Sequence, residues 1–598
     1  MEYKLPKNLR KSALGLCTAF TVLGCMTGAT ASGFAAPYVM QQTSSITVLP
    51  IDHAKLIAGQ KFDFLIEVKD AATNDIQVTI NGKSAEKYFG KAAVVSMDGT
   101  MATYRIDQVE MKKAGNVDIV VNANGSKRVV NYNIVADKAQ KKAKNVILFV
   151  GDGMSLQARE MARILSKGMT EGKFNDTLEM EKLSNMAIVT TSGYDSLVTD
   201  SANSASAYAT GQKGVVNSMG VYANSTKDPL DDPNVENIVE LVKRTRGMST
   251  GLVTTSNITD ATPAAMVAHT RKRSEQNFIA QNMLDEMHRP DVILGGGARQ
   301  FLPMSTPGSK RKDEVNVIDE FKNLGYQFSG TKSELLATPK DSNKLLGLYQ
   351  LDNLNVYIDR EMTKNPKVLG GFQDQPGLVD MTKKAIDTLS KNKNGFFLMV
   401  EGACIDKQLH TMDWQRAAYD NIELDKAVGA ARTFAKQNDD TLIIVVADHS
   451  HGASITGTYH EKDGKTGREA VRTYANAGFP TFEDKDGDGY PENPDPDVTL
   501  AVQYANHPDV NMDYRFKPEP ISPAIMANDK AIANPNIKGQ FFEGNIPADE
   551  SSEVHSADDV ILNADGPGAE YFKGVMDNTE VFFGMVRALG IDGNKNNK

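Results

Sequence analysis

The sequence contains little cysteine and no strongly basic segment. Only three of its 598 residues are cysteine, and two of these, Cys17 and Cys25, lie near the N-terminus. Cys404 alone remains in the body of the chain, so no disulfide can form there, and we interpret Cys404 as a small buried residue. The chain has 66 basic and 76 acidic residues and a net charge of −10. This balance argues against nucleic acid as a specific partner.

Other sequence patterns argue against particular protein classes. No serine or cysteine lies in a Ser-x-Pro-x-Arg or Cys-x-Pro-x-Arg motif, which argues against a sulfatase. Ser201 does not lie in a Gly-x-Ser-x-Gly turn, so a serine hydrolase triad built on Ser201 is not indicated. No repeat of about 20–50 residues is present, which argues against a solenoid or a propeller.

The N-terminal segment has the pattern of an export signal. Residues 12–24 form an apolar stretch too short to span a bilayer, and they follow four basic residues, Lys4, Lys7, Arg10 and Lys11. Ala29-Thr-Ala31 and Gly33-Phe-Ala35 both suit a signal peptidase, whereas Leu23-Gly-Cys25 resembles a bacterial lipobox. We therefore assign residues 1–36 as a signal segment. We expect a periplasmic or extracellular protein, attached to a membrane only if Cys25 is lipidated.

Two hydrophobic patterns divide the rest of the chain. Residues 38–137 alternate short strand-like runs with turns, and Asn124-Gly125 is typical of a hairpin, which predicts a small all-β sandwich of roughly immunoglobulin type. Its role stays open between binding, spacing, wall attachment and support of folding. A charged linker follows at residues 137–144. In residues 144–598 apolar strands alternate with helical segments, which predicts a doubly wound α/β fold, a largely parallel sheet with helices on both faces.

The segment from Val400 to His410 carries the clearest functional pattern. The apolar run before it predicts a buried parallel strand, and Glu401 lies at the C-terminal end of that strand, where open α/β sheets bind ligands. Asp406 and His410 are four residues apart, so one face of a helix presents both side chains. Two carboxylates and an imidazole that converge suit divalent metal ions. Ordinary surface charges on a loop would give the same local pattern.

Other polar groups follow predicted strands or begin predicted helices, and each has a simpler alternative. Asp152 lies between two glycines in what could be a plain turn. Ser201 lies at a helix start, where the positive end of the helix dipole stabilises negative charge on a serine oxygen or a phosphate. The alternative is that it belongs to a helix cap. Asp448-His449 follows a strand, and His555 is a lone histidine of the kind that is usually structural.

A basic group follows the start of another predicted helix. Asp260-Ala-Thr-Pro-Ala-Ala precedes His269, Arg271 and Arg273 in the sequence. An arginine fork is the expected bidentate clamp for a phosphate group. The alternative is a helix start that is followed by a solvated basic face.

In combination, these motifs resemble those of the bacterial alkaline phosphatases. They are Val-Gly-Asp152-Gly-Met, Thr199-Asp-Ser-Ala, Asp260-Ala-Thr-Pro-Ala-Ala, the run from Val400 to His410, and Ala447-Asp-His, in that family's order over about residues 144–455, with His555 beyond. The resemblance implies an exported, metal-dependent hydrolase of phosphate monoesters that acts through a phosphoseryl intermediate. It also permits a homodimer.

The same resemblance implies a site for two zinc ions and one magnesium ion. The first zinc would bind Asp406, His410 and His555; the second would bind Asp152, Asp448 and His449; and magnesium would bind Asp152, Thr262 and Glu401.

The resemblance also assigns the groups that act on phosphate. Ser201 would be the nucleophile, and Asp200 would position the phosphate arginine. The family places that arginine four residues after the histidine, so His269 selects Arg273 over Arg271. Asp260 and Lys407 match positions that, in the family, modulate the binding of phosphate and magnesium.

A long segment at about residues 457–550 does not align with the family and separates two of the implied metal ligands. It contains oxygen ligands at the spacing of an EF-hand calcium loop, namely Asp484, Asp486, Asp488, Tyr490, Glu492 and Asp495. The last ligand is aspartate rather than glutamate, and flanking helices are not evident. A calcium site and a solvated acidic turn therefore remain alternatives.

Two other functions fit part of the pattern. A phosphodiesterase of the same superfamily would use similar metals without the magnesium ligands, but Thr262, Glu401 and Arg273 together favour monoesters. A surface protein that binds phosphate or a polymer would depend on the β-sandwich and carry an inactive site, which the intact ligand set disfavours. We predict a phosphate monoesterase.

Overall fold

The computed structural model describes residues 46–136, 142–465, 467–493, 496–505 and 552–595, and the backbone of residues 525–527 and 530–532. The predicted signal segment, Cys25 and part of the predicted insertion lie outside these residues. All the described residues belong to one compact unit. Among the helices of the described part, none is both long and apolar enough to cross a membrane.

The N-terminal part consists of two β-sheets that share one hydrophobic core. One sheet has the strand order β1-β3-β7-β6 and the other the order β2-β9-β8-β4-β5. The strands are β1 (Ile46–Leu49), β2 (Lys55–Ile57), β3 (Lys61–Lys69), β4 (Gln77–Ile80), β5 (Lys83–Ser84), β6 (Val94–Asp98), β7 (Met101–Glu110), β8 (Gly115–Ala123) and β9 (Ser126–Val135). Asn124 and Gly125 both have positive φ, 49° and 69°, in the predicted hairpin turn between β8 and β9.

The remaining strands form the central sheet and several short ribbons. They are β10 (Asn145–Gly151), β11 (Met169–Thr170), β12 (Lys173–Phe174), β13 (Asn185–Thr190), β14 (Ser249–Asn257), β15 (Val292–Gly296), β16 (Gln327–Ser329), β17 (Leu345–Leu348), β18 (Phe396–Gly402), β19 (Thr441–Ala447), β20 (Ser450–His451), β21 (Ala453–His460), β22 (Val471–Arg472), β23 (Val498–Tyr504), β24 (Ile525–Ala527), β25 (Lys530–Ile532), β26 (His555–Ser556), β27 (Val560–Asp565) and β28 (Gly574–Asp577).

The central sheet has ten strands in the order β16-β17-β15-β14-β18-β10-β19-β27-β13-β28. All its neighbouring strands run parallel except at β27, which is antiparallel to both β19 and β13. The strands β10, β18 and β19 are buried along their whole length, as their continuous apolar runs predict for a sheet covered on both faces. The predicted α/β class, with an all-β part before it, is confirmed.

Helices pack in two groups against this sheet. One group contains α2, α10 and α12, and the other contains α3, α4, α5 and α13. The helices are α1 (Ala85–Phe89), α2 (Leu156–Lys167), α3 (Ser201–Thr210), α4 (Ile238–Arg246), α5 (Ala261–Ala265), α6 (Gln276–Asn282), α7 (Val317–Asn323), α8 (Lys332–Ala337), α9 (Pro366–Leu369), α10 (Leu378–Leu389), α11 (Cys404–His410), α12 (Trp414–Gln437) and α13 (Thr579–Leu589).

The register of the three central strands brings their polar ends to one edge of the sheet. The strand β10 lies between β18 and β19, and Gly151 at its end pairs with Gly402 of one neighbour and Ala447 of the other. The residues that follow β10 and β19, Asp152 and Asp448, therefore emerge beside Glu401. This edge is where parallel sheets bind ligands.

The predicted insertion begins at a small antiparallel sheet, and the chain beyond it lies again at the same edge. Strand β21 pairs with β22 and β23. Farther along the chain, β26 pairs with β20, so that His555 lies opposite His451. A two-stranded ribbon thus returns the chain to the site after the insertion.

Candidate active site

Ser201 lies at the N-terminus of α3 and is almost fully buried. Asp200 caps the helix: its Oδ1 accepts a hydrogen bond from the N–H of Asn203, and the Asn203 Oδ1 accepts one from the N–H of Asp200, both at 3.2 Å. The Ser201 Oγ is 3.2 Å from Nε2 of His449 and 3.4 Å from Oδ1 of Asp152. The positive end of the helix dipole and the Ser201 hydroxyl are therefore both directed toward His449 and Asp152.

Asp152, Asp448 and His449 form one group of potential metal ligands beside Ser201, with ligand atoms within 4.8 Å of one another. Nε2 of His449 is 3.2 Å from Oδ1 of Asp152 and 3.5 Å from Oδ2 of Asp448. Oδ1 of Asp448 accepts the N–H groups of Gly153 and His449, but its Oδ2 is buried without a hydrogen-bond partner among the described residues. Burial, and then the charge of Asp152, raises the pKa of Asp448 well above its usual range. A buried carboxylate in this state is well suited to a cation.

Asp406, His410 and His555 form a second group of potential ligands. Oδ1 of Asp406 is 3.3 Å from Nε2 of His410 and 3.4 Å from Nε2 of His555. Nδ1 of each imidazole faces a backbone carbonyl, that of Glu553 at 2.7 Å and that of Thr199 at 2.9 Å. A proton on each Nδ1 satisfies these carbonyls and leaves a lone pair on each Nε2, and the two Nε2 atoms are 3.0 Å apart. Metal-binding histidines are held in this tautomer in the same way.

His451 belongs to this second group, and our sequence analysis did not predict it. Its Nε2 lies 3.2 Å from Oδ1 of Asp406 without hydrogen-bond geometry, and both of its ring nitrogens lack a hydrogen-bond partner within the described part of the chain. Burial lowers the pKa of His451 to about 4, so the imidazole is neutral at pH 7. The available signal was its spacing of two residues from His449, because alternate residues of an extended chain share a side.

Neighbouring basic side chains hold Asp406 ionised. Burial raises the pKa of its carboxyl, but the surrounding histidines and Lys407 outweigh this effect and hold the pKa well below its usual range. Nε2 of His449 is 4.0 Å from Oδ1 of Asp406, so the two groups of ligands adjoin each other.

Glu401 and Thr262 contribute oxygen atoms near the same sheet edge. Oγ1 of Thr254 donates to Oε2 of Glu401 at 2.5 Å. Thr262 lies in α5, which packs on β14 and β18, and its Oγ1 is buried without a hydrogen-bond partner among the described residues. Burial, and then the charge of Asp152, raises the pKa of Glu401 well above its usual range. An all-oxygen set suits magnesium better than zinc.

The two candidate arginines have different partners. Arg273 contacts Oδ2 of Asp200 at 3.3 Å and donates to Oδ1 of Asp260 at 2.8 Å. Arg271 instead donates to three backbone carbonyls, at 2.9, 2.7 and 3.0 Å, in Asn224, Thr226 and Asp228. Arg273, unlike Arg271, therefore contacts Asp200, the residue that precedes Ser201.

Lys407 lies between Asp260, the partner of Arg273, and Asp406, a potential metal ligand. Its Nζ is 3.1 Å from Oδ2 of Asp260 and 3.7 Å from Oδ2 of Asp406. Burial raises the pKa of Asp260, but Lys407 and Arg273 outweigh it and hold the pKa well below its usual range. Asp260 therefore stays ionised and orients both cations.

Cys404 is not part of this arrangement. Its side chain is buried, and Sγ lies 3.7 Å from the carbonyl oxygens of Thr255 and Leu354. Burial raises the pKa of the thiol far above its usual range. Cys404 is therefore a packing residue, as the sequence analysis interpreted it.

The loop at residues 484–492 brings four of the six predicted calcium ligands together. Carboxylate atoms of Asp484, Asp486, Asp488 and Glu492 lie within 4.8 Å of one another. Backbone N–H groups of the loop donate to Asp484 and Asp488 at 2.7–2.9 Å. The Tyr490 side chain points away and donates to Asp425 at 2.8 Å, and Asp495 lies outside the described residues.

Comparison with known proteins identifies the family. The alkaline phosphatase family model matches residues 143–591. Alkaline phosphatase 4 of Bacillus subtilis is 33% identical over 451 residues, which cover 74% of this chain and 88% of that protein. Alkaline phosphatase of Escherichia coli is 30% identical over 491 residues, which cover 76% of this chain and 87% of that protein.

Solved structures agree on the fold. Alkaline phosphatase of Thermus thermophilus superimposes with a TM-score of 0.54 at 23% identity, covering 76% of this chain and 93% of that one. The enzyme of the Antarctic bacterium TAB5 gives 0.52 at 23% identity, with 75% and 99% covered. The chain belongs to the alkaline phosphatase family. It is an enzyme that hydrolyses phosphate monoesters, and its β-sandwich precedes the matched region.

Proposed function

We propose that this enzyme acts through a phosphoserine at Ser201, in a site that holds two zinc ions and one magnesium ion. The observation that carries the proposal is the convergence of the Ser201 hydroxyl, the His449 imidazole and the Asp152 carboxylate within 3.4 Å. The preceding residue, Asp200, contacts the guanidinium of Arg273. A nucleophile, a cation site and an anion clamp therefore lie side by side.

The donor atoms support the choice of metals. Asp406, His410 and His555 offer one carboxylate and two imidazoles with fixed tautomers, and Asp152, Asp448 and His449 offer two carboxylates and one imidazole; both sets suit zinc. Thr262 and Glu401 offer only oxygen, which suits magnesium. A mutant of the related TAB5 enzyme has been solved with magnesium in its M3 site. Oδ2 of Asp448 and Oγ1 of Thr262, which are buried without a hydrogen-bond partner among the described residues, fit this assignment.

Each residue of the site has a separate role in the two steps of the reaction. When bound, two zinc ions would favour the serine alkoxide and stabilise the attacking and leaving oxygens of an in-line displacement. Ser201 Oγ attacks phosphorus, the bond to the leaving alkoxide breaks, and phosphoserine forms. Water then attacks the same phosphorus, which releases phosphate and restores the hydroxyl. Arg273 holds the non-bridging oxygens in both steps, and Asp200 and Asp260 fix the orientation of its guanidinium.

We also propose that the enzyme is exported, on the pattern of residues 1–36, and that a homodimer is a permitted state. Cell fractionation of the full chain against a variant that lacks residues 1–36 tests export. Lipid labelling of wild type and Cys25→Ala distinguishes a lipid anchor from cleavage at the alanine sites. Light scattering of the purified enzyme measures the oligomeric state.

One kinetic comparison tests the substrate class and the metals together. Initial rates are measured on a phosphate monoester and a phosphate diester with one preparation loaded with zinc and magnesium. The proposal predicts strong preference for the monoester and loss of the rate on chelation, with recovery when both metals are restored. Preference for the diester, or a rate that survives full removal of metal, would contradict it.

A further inference from the structure

The β-sandwich shares its hydrophobic core with a segment of the catalytic part. Tyr222 and Val235, at 3% and 1% exposed, lie within the core formed by the strands of the sandwich. Val235 pairs with Phe62 of β3 through an isolated β-bridge. The segment of residues 217–236 thus packs against the sandwich and is attached to the start of β3.

Two buried acids on β3 fasten this segment. Oε1 of Glu67, 4% exposed, accepts both the N–H of Ser225 at 2.9 Å and its hydroxyl at 2.6 Å. Asp63, 3% exposed, accepts the N–H of Asn234 at 3.0 Å. A buried carboxylate needs such partners to offset the cost of its desolvation. Within the described residues, the hydrogen bonds of these two carboxylates go to the sandwich and to this segment, so we assign them a role in holding it.

The same segment supports the phosphate arginine. The N–H of Arg273 donates to the carbonyl of Asn217 at 2.9 Å, and the N–H of Asn217 donates to Oδ1 of Asp200 at 3.2 Å. Met219 and Thr270 exchange two backbone hydrogen bonds, at 2.8 and 2.9 Å. The backbone that carries Arg273 is therefore paired with the segment at both sides of Arg271.

We propose that the β-sandwich is a positioning element for phosphate binding, and that Glu67 holds the 217–236 segment so that Arg273 and Asp200 are aligned with Ser201. The inference rests on the proposed role of Arg273. It gives the sandwich an indirect part in catalysis, through the segment that Glu67 holds. Small displacements of positioning groups are costly, because the reacting atoms must be held in a near-attack geometry.

The test measures the inhibition constant of inorganic phosphate and the kcat/KM for a monoester in the full-length, metal-loaded enzyme. Glu67→Ala removes the acceptor of both Ser225 donors, and we expect the inhibition constant to rise about 3- to 10-fold and kcat/KM to fall by a similar factor. Glu67→Gln keeps an amide oxygen at the same position and is expected to restore values close to wild type. Asp118→Ala, at an exposed position on β8 of the other sheet, serves as the control.

A double-mutant cycle with Arg273→Ala separates positioning from general destabilisation. If Glu67 acts through Arg273, Glu67→Ala has little further effect on phosphate inhibition in the Arg273→Ala background. An unchanged inhibition constant in Glu67→Ala, or an equal effect in both backgrounds, overturns the inference. If Glu67→Ala does not fold, Ser225→Ala is measured instead, and we expect a smaller rise in the inhibition constant. The absence of any rise in Ser225→Ala overturns the inference. If Arg273→Ala alone leaves inhibition unchanged, the proposed phosphate arginine is wrong instead.

Discussion

The Ser201 Oγ lies 3.2 Å from Nε2 of His449, although 248 residues separate the two in sequence. One residue begins α3 and the other follows β19, so the contact depends on the packing of a helix start against the edge of the central sheet. Because His449 also contacts Asp152 and Asp448, it cannot serve Ser201 as an isolated general base. This geometry favours a serine that is activated within a metal site.

Replacement of Ser201 by alanine should abolish turnover and leave the metals in place. We expect kcat to fall by at least about 10³-fold, since the nucleophile is lost while the ligand atoms keep their positions. Steady-state kinetics and metal analysis of the same sample test this. Turnover near wild type would remove Ser201 from the mechanism, and loss of zinc would show that its hydroxyl is needed to hold metal.

Thr262→Ala should lower magnesium content without lowering zinc content. Its hydroxyl is buried without a hydrogen-bond partner among the described residues, so its removal leaves no protein donor or acceptor unpaired. Thr250→Ala is a matched control, because Thr250 is also buried without a side-chain partner in this part of the structure but lies at the start of β14. Equal magnesium content in both variants would contradict the assignment.

Arg273→Ala and Arg271→Ala should have different effects. Loss of Arg273 removes the clamp at Asp200, and we expect kcat/KM to fall about 10²–10³-fold and phosphate inhibition to weaken. Loss of Arg271 removes donors to backbone carbonyls, and we expect mainly a lower free energy of unfolding, by on the order of 1–3 kcal/mol. Kinetics and urea unfolding of both variants test this. The reverse pattern would assign phosphate binding to Arg271.

The buried pair of His269 and Glu240 predicts a pH-dependent contribution to stability. Burial lowers the pKa of His269, but Glu240 at 3.1 Å outweighs it and raises the pKa above its ordinary value. The stabilisation is then complete below the pKa of the unfolded state, about 6.5, and is lost as pH rises through the folded value. Glu240→Gln should therefore cost more free energy of unfolding at pH 6 than at pH 9. Glu286→Gln, on the exposed surface, is the control, and an equal cost at both pH values would contradict the pairing.

Calcium should stabilise the enzyme if the 484–492 loop binds it. At a hundredfold excess over Kd, a ligand specific for the folded state adds about 2.7 kcal/mol, which raises Tm. The Asp484→Ala/Asp486→Ala double variant should lose this response, whereas Asp439→Ala, at an exposed position outside the loop, should keep it. A Tm that calcium leaves unchanged in the wild type would favour a solvated acidic turn.

The sequence allowed prediction of those parts of the fold that depend on local pattern. Continuous apolar runs correctly indicated β10, β18 and β19, and their polar ends indicated the sheet edge. The antiparallel direction of β27 could not be predicted, because an apolar run carries no information on the direction of its neighbours.

Long-range pairing limited prediction of the site. His555 could be assigned only through the family resemblance, since the β20–β26 ribbon that places it joins residues on either side of the insertion. His451 was not predicted, because the Ala447-Asp-His motif ends at His449. The buried roles of Glu67 and Asp63 were not predictable, because their partners lie in the 217–236 segment.

The most direct test of a phosphoserine mechanism is to identify the residue that carries phosphate during turnover. The metal-loaded enzyme is mixed with a phosphate monoester, quenched in acid and digested, and the peptides are analysed by mass spectrometry. The account predicts one added phosphoryl group on the peptide that contains Ser201, located at that serine and absent from Ser201→Ala. Phosphate on another residue, or no covalent adduct at any quench time in a fully active preparation, would contradict it.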